Sequence, residues 1–177
     1  VVLLGAKPVF VDIDPISYTM APDQLEAAIT PNTKVILPIH LFGQISNMVE
    51  IGAIAKKYGL VTIGDAAQAI AATQHGEKLG STADISTLSF YPTKNLGAAG
   101  DAGMVITNNS ELAEKIRILR FHGSKGTYDY REVGVCSRLD AIQAAVLSAK
   151  VKKLDAWTEK RREHADYYIS ELSDIDS

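Results

Sequence analysis

A single cysteine, Cys136, excludes an intrachain disulfide framework, and that scarcity suits a reducing, cytoplasmic setting. Apolar runs of membrane-spanning length are missing, so no membrane association is expected. The opening Val1-Val2-Leu3-Leu4 is no charged-then-apolar leader and reads as a chain entered in mid-element. Excess charge is also missing. The net value is −3, which offers nothing to nucleic acid or an anionic surface. There are no repeats and no low-complexity tracts. What remains is 177 residues, 46% hydrophobic and 22% charged, the balance of a soluble globular domain large enough for a proper core.

Apolar runs alternate with helical patterns, which predicts α/β units around a mostly parallel sheet. Strands are expected at Pro8–Ile13, Lys34–His40, Leu60–Ile63, Asp84–Phe90 and Gly103–Thr107, the last antiparallel because its connection is short. Pro38 marks the end of its strand or an edge. Pro22 opens a short helix to Ile29, and Asn47 caps one with Met48, Ile51, Ile54, Ala55 and Tyr58 on one face. Glycines between Thr73 and Ser81 predict a hairpin-like excursion. Ser110 is expected to cap a helix carrying Leu112, Ile116 and Leu119. Phe121–Val135 reads as a long loop. From Leu139 to about Leu172 the pattern is helical, broken near Lys153–Trp157, with Glu159–Glu163 as a solvated face.

Two residues carry the chemistry. Asp65 and Lys94 lie 29 positions apart, each after an apolar run, so each is expected where open α/β sheets place ligands. A carboxylate and an amine in such places form either a buried ion pair or a pyridoxal phosphate site. Spacing does not choose between them.

The motifs do. Val61-Thr62-Ile63-Gly64-Asp65-Ala66-Ala67-Gln68-Ala69 and Ser89-Phe90-Tyr91-Pro92-Thr93-Lys94-Asn95-Leu96-Gly97 resemble the DegT/DnrJ/EryC1/StrS sugar aminotransferases. So do Pro38-Ile39-His40-Leu41-Phe42-Gly43, His122-Gly123 and Ser137-Arg138-Leu139-Asp140-Ala141-Ile142-Gln143-Ala144-Ala145. The resemblance spans essentially the whole chain. It implies the fold of type I pyridoxal 5′-phosphate enzymes, a three-layer α/β/α large domain with a mostly parallel sheet, incomplete at its N-terminus. Residues 1–152 would be the central part of that domain, and 153–177 a helix leading into a C-terminal small domain.

The same resemblance implies roles. Lys94 would form the Schiff base and move protons, and Asp65 would hold the ring nitrogen protonated. Gln68 would reach the ring oxygen, Ser89 the phosphate, and Asn95 would support the turn at the cofactor. His122 would approach substrate, and His40, at a strand end, would either do the same or be a structural histidine. No metal is implied. Arg138 would meet either an anion or an intramolecular carboxylate. The reaction would carry an amino group from an amino acid such as glutamate to a nucleotide-linked keto-sugar, in a homodimer. Lys94 argues against the histidine-bearing sugar dehydratases of the family. The alternative is a truncated domain that folds and oligomerises without turnover.

Departures from the pattern sharpen that alternative. Gly64 stands where relatives carry an acidic residue. Gly100-Asp101-Ala102-Gly103 replaces Gly-Asp-Gly-Gly, which would cost about 1 kcal/mol if position 102 needs positive φ. Cys136 stands where an asparagine is expected, and a thiol cannot replace an amide's two donors, so weaker cofactor retention is expected. The resemblance also implies a preceding segment with a phosphate-binding turn and a ring-stacking aromatic. The chain reads as a partial member.

Overall fold

The computed structural model describes residues 1–175, which divide into two units. The first comprises Val1–Ser89 with Gly103–Arg138, and the second Phe90–Ala102 with the chain from Leu139 on.

In the first unit, Pro22 begins helix α1 (Pro22–Ala28), where its missing N–H costs no hydrogen bond. Strand β1 (Val35–Ile36) precedes helix α2 (Met48–Tyr58), whose cap Asn47 accepts the Glu50 N–H at 3.3 Å. Helix α2 buries Met48, Ile51 and Ala55 against Leu25, Ile36 and Ile45, and these six form the core. Tyr58, on the same helix, instead reaches outward to Glu26 Oε2 at 2.9 Å.

Strand β2 (Val61–Asp65) lies parallel to β1. The hairpin expected after Thr73 is present as β3 (Thr73–Gln74) and β4 (Glu77–Lys78), turning through His75 and Gly76, both at positive φ. Strand β5 (Ile85–Ser89) pairs parallel with β2, and β6 (Gly103–Ile106) pairs antiparallel with β5. The sheet order is therefore β1-β2-β5-β6, mostly parallel as expected. Thr62 pins the start of β2. Its N–H and hydroxyl both donate to Asp84 Oδ2 at 2.8 Å.

The fold departs from four local expectations. Pro8–Ile13 forms no strand; it makes one antiparallel bridge, Ile13 to Met20, and Phe10 is 90% exposed. Its β-branched composition favours a strand only beside a partner, and no strand among the described residues pairs with it. The strand from Lys34 shortens to Val35–Ile36 because Pro38 has no N–H to give; pairing resumes as a single bridge between Ile39 and Asp65.

Helix α3 (Ser110–Leu119) is capped one residue earlier than expected, by Asn109, whose Oδ1 accepts from Glu111 and Leu112 at 2.9 and 3.1 Å. The segment read as a loop contains a small antiparallel pair, β7 (Ser124–Gly126) and β8 (Asp129–Tyr130). Gly123 makes that excursion possible. A Cβ there would lie 1.7 Å from the Glu132 carbonyl oxygen, at a φ of +74°.

The second unit holds the lysine turn, helix α4 (Ala141–Val151) and helix α5 (Leu154–Glu171). The break between the helices falls at Lys152–Lys153, at the front of the expected interval. Phe90, Leu96, Ala98, Leu147 and Leu154 are its buried apolar residues. Along α5, Glu159–Arg162 and Lys160–Glu163 pair in solvent, where such contacts add little stability. No helix among the described residues is long and apolar enough to cross a membrane.

Candidate functional site

Asp65 ends β2, half-buried, with its main chain held on both sides by the neighbouring strand segment. Its N–H donates to Pro38 O at 2.9 Å, and its carbonyl accepts the His40 N–H at 2.8 Å. Its carboxylate Oδ1 accepts the Ala67 N–H at 3.0 Å, which closes a local turn and sets the carboxylate's direction.

Three positions on, Gln68 is exposed, and its side-chain carbonyl accepts the Phe42 N–H at 3.4 Å. That N–H is aimed by an unusual backbone: Phe42 adopts φ 57°, ψ 28° inside the short turn Leu41–Gly43. With the carbonyl engaged, the amide NH2 of Gln68 is the end left to donate outward. Ser89 closes β5, half-buried and opposite Gly103. The end of the parallel strands thus carries a carboxylate, an amide and a hydroxyl.

His40 is placed differently from an approach to substrate, one of its two expected roles. It is 0% exposed, packed against β2 at Gly64 rather than open to a ligand. Its Nδ1 accepts the Ser46 N–H at 3.2 Å, while Ser46 Oγ donates to Ile39 O at 2.8 Å. Burial holds the imidazole below its usual pKa, and the Asp65 charge opposes that shift less strongly.

Lys94 belongs to the second unit, half-buried in a turn closed by its own N–H on Tyr91 O at 2.9 Å. Past it, Ala98 N–H donates to Phe90 O at 2.7 Å, so the turn returns to where it began. Gly97 is required by this path. A Cβ there would stand 2.3 Å from Pro92 O and 2.9 Å from Tyr91 O. Asn95 sits exposed at the tip.

Two side chains of α4 brace the turn from behind. Gln143 Oε1 accepts the Ala99 N–H at 2.8 Å, and Lys150 Nζ donates to Gly97 O. Lys150 has no signature in the sequence, because nothing local ties a helical lysine to a loop 53 residues earlier. Gln143 stands inside a family motif, but its partner is visible only in three dimensions.

His122 is exposed at φ 58°, beside the Phe121 ring, with its N–H on Val135 O at 3.0 Å. Among the described residues no carboxylate forms an ion pair with Arg138. Its guanidinium lies 5.3 Å from the Phe121 ring centroid, a cation–π contact that positional reasoning does not suggest. Cys136 is exposed and bridges Phe121 through the backbone only. Ala102 is not among the positive-φ residues, so the strain considered for it is absent. A cleft of about 920 Å³ opens at the other end of the strands, lined by Lys56, Thr62, Asp84, Asn109 and Glu111, away from Asp65.

These features have counterparts among known proteins. Over residues 1–177 the chain matches the DegT/DnrJ/EryC1/StrS aminotransferase family. It is 56% identical over 170 residues to a pleiotropic regulatory protein of Geobacillus stearothermophilus, covering 96% of this chain and 46% of that protein. It is 49% identical over 176 residues to a UDP-N-acetyl-3-dehydro-alpha-D-glucosamine 3-aminotransferase of Acidithiobacillus ferrooxidans, covering 99% and 48% respectively. Among solved structures, NtdA of Bacillus subtilis with bound cofactor PMP superposes with a TM-score of 0.88 at 42% identity, over 95% of this chain and 38% of that one. The chain therefore spans about half the length of the curated relatives it matches or less. With the motifs in order, the mixed sheet as expected and the match running from end to end, this chain belongs to the DegT/DnrJ/EryC1/StrS aminotransferase family, and its α/β fold is that of the type I pyridoxal-phosphate large domain.

Proposed function

We propose that this chain supplies the cofactor-holding centre of an aminotransferase that moves an amino group from an amino acid such as glutamate to a nucleotide-linked keto-sugar. The observation that carries the reading is the donor set itself: Asp65, Gln68 and Ser89 at or just beyond the strand ends, and Lys94 in a braced turn, in a chain whose whole length matches this family. Residues 1–152 are the large-domain share in this reading, and 153–177 lead toward a small domain.

The donor set fits pyridoxal 5′-phosphate group by group. A carboxylate suits a pyridinium nitrogen, an amide NH2 a ring oxygen, a hydroxyl a phosphate and a primary amine an aldehyde. The structure adds a specific point in favour: the Phe42 N–H occupies the carbonyl of Gln68, so its donor end is the one on offer. When bound, the cofactor supplies an electron sink for the carbanion at the amino donor's Cα.

The chain's own groups do the rest. Asp65 would hold a proton at the ring nitrogen, its direction set by the Ala67 N–H. Lys94 would hold the cofactor through Nζ, and its amine would carry the proton between the donor's Cα and C4′ of the cofactor. Gln68 would orient the ring and Ser89 would bind the phosphate, while Asn95 would support the turn. His122, exposed in its loop, would meet the sugar nucleotide. A homodimer belongs to this reading, and the exposed Leu3, Phe10 and Val133 offer apolar surface for a second copy to cover.

Asp65→Asn tests the reading with little change of shape. The amide carbonyl still accepts the Ala67 N–H, yet the group no longer carries the negative charge that favours a proton at the ring nitrogen. Glutamate-dependent bleaching of the bound cofactor should slow about 10²-fold, the scale of losing one preorganised electrostatic partner. An unchanged rate, measured by stopped-flow absorbance, would remove Asp65 from this role.

A further inference from the structure

The turn that carries Lys94 closes itself with two backbone bonds, Lys94 N–H to Tyr91 O and Ala98 N–H to Phe90 O. Two further backbone groups of the same loop are taken by side chains of α4. Lys150 Nζ donates to Gly97 O, and Gln143 Oε1 accepts the Ala99 N–H at 2.8 Å. Both side chains are half-buried, and they stand seven positions apart on one helix. Buried Leu147 lies between them, four residues past Gln143, so the three form one stripe along the face that meets the loop.

Neither contact is what such a side chain does by default. A lysine near the end of a helix ordinarily keeps its ammonium in water, and fixing its long stem costs rotamer entropy. Among the described residues no carboxylate forms an ion pair with Lys150, and its ammonium is spent on the Gly97 carbonyl. A charge-assisted bond of this kind is stronger than one between neutral groups. Gln143 is seated by an absence. A Cβ on Gly100 would stand 2.9 Å from Gln143 Nε2, so the amide occupies ground that a side chain at 100 would claim. Gly100 is not among the positive-φ glycines, so alanine there disturbs this contact without straining the backbone.

We propose that Gln143 and Lys150 are positioning residues for Lys94, a two-point clamp from one helix that fixes the loop on which the amine stands. The lever is short. Gly97 is three residues beyond Lys94, and Ala98, whose N–H closes the turn, lies between the two clamped groups. Holding Gly97 O and the Ala99 N–H therefore holds the closing bond at Ala98, and with it the turn that Lys94 occupies. An amine held in one place has less freedom to lose when it meets an aldehyde. Only that last step rests on the cofactor role proposed for Lys94; the clamp does not.

Amide exchange tests the clamp in the chain without cofactor. Lys150→Met keeps the stem and removes the donor, Gln143→Leu removes the acceptor, and Gly100→Ala keeps Gln143 but pushes its amide aside. Each should speed exchange at Ala98 about tenfold, while the amides of α4 and α2 stay slow. Gln143→Glu, which still accepts the Ala99 N–H, should keep exchange slow. An unmoved Ala98, or α4 amides that speed up alike, overturns the clamp. Capture of pyridoxal phosphate at limiting concentration, trapped with borohydride, then tests the positioning. The mark on Lys94 should form about tenfold more slowly in Lys150→Met than in wild type and reach the same final yield, with surface lysines marked at unchanged rates. Lys150→Arg, a cation that still donates to a carbonyl, should recover most of the rate. Equal rates on Lys94 in wild type and Lys150→Met overturn the positioning role. No mark on Lys94 in wild type overturns the cofactor reading instead, and the exchange result alone then decides the clamp.

Discussion

Replacing Lys94 with alanine abolishes the visible absorbance that pyridoxal phosphate develops on binding the wild-type chain. The turn itself should survive. Its closing bonds run from the Lys94 N–H to Tyr91 O and from the Ala98 N–H to Phe90 O, and both use backbone atoms that alanine retains. The side chain is only half-buried, so stability should change by about 1 kcal/mol or less. Lys150 is the internal control. Its amine is engaged with Gly97 O, so Lys150→Ala should keep the band while loosening the turn. A band in Lys94→Ala equal to wild type, read by difference absorbance, would assign the cofactor's attachment to another amine.

Gly97→Ala attacks the same site without touching a reacting group. The new methyl would meet Pro92 O at 2.3 Å, Pro92 C at 2.8 Å and Tyr91 O at 2.9 Å. All three are backbone atoms of the turn, with no flexible side-chain end to yield. The turn must open, at a cost of about 1–3 kcal/mol or more, and Lys94 moves with it. The expected result is a lowered melting temperature together with loss of most of the cofactor band. Gly52→Ala in α2 is the matched comparison, because nothing lies within 4 Å of the new methyl. In a helix interior that change should stabilise by about 0.5–1 kcal/mol. If Gly97→Ala and Gly52→Ala behave alike in thermal melts, the close packing of the lysine turn is wrong.

Much of this arrangement is legible in the amino-acid sequence, for definable reasons. Val61-Thr62-Ile63 and Ile85–Leu88 are short runs rich in β-branched and apolar side chains, so the strands ending at Asp65 and Ser89 follow from local composition. The Asn47 cap and the helix behind it follow from chemistry within one turn. The lysine turn announces itself through Pro92 and Gly97. What stays hidden depends on partners distant in sequence. Pro8–Ile13 has strand composition but pairs with no strand among the described residues. The burial of His40 depends on the β1–β2 register and on Gly64, whose missing side chain looks like a departure from the motif until the imidazole is seen in its place. The bracing of the turn by Gln143 and Lys150, and the Arg138 contact with Phe121, join residues separated by loops and helices.

The central claim is that Lys94 holds the cofactor, and one measurement addresses it most directly. The chain is incubated with pyridoxal phosphate, reduced with borohydride, digested and mapped by mass spectrometry. The expected result is a stoichiometric pyridoxyl mark on Lys94, with Lys150 and the surface lysines essentially unmarked. A mark spread over many lysines, or concentrated on any one other than Lys94, would contradict it.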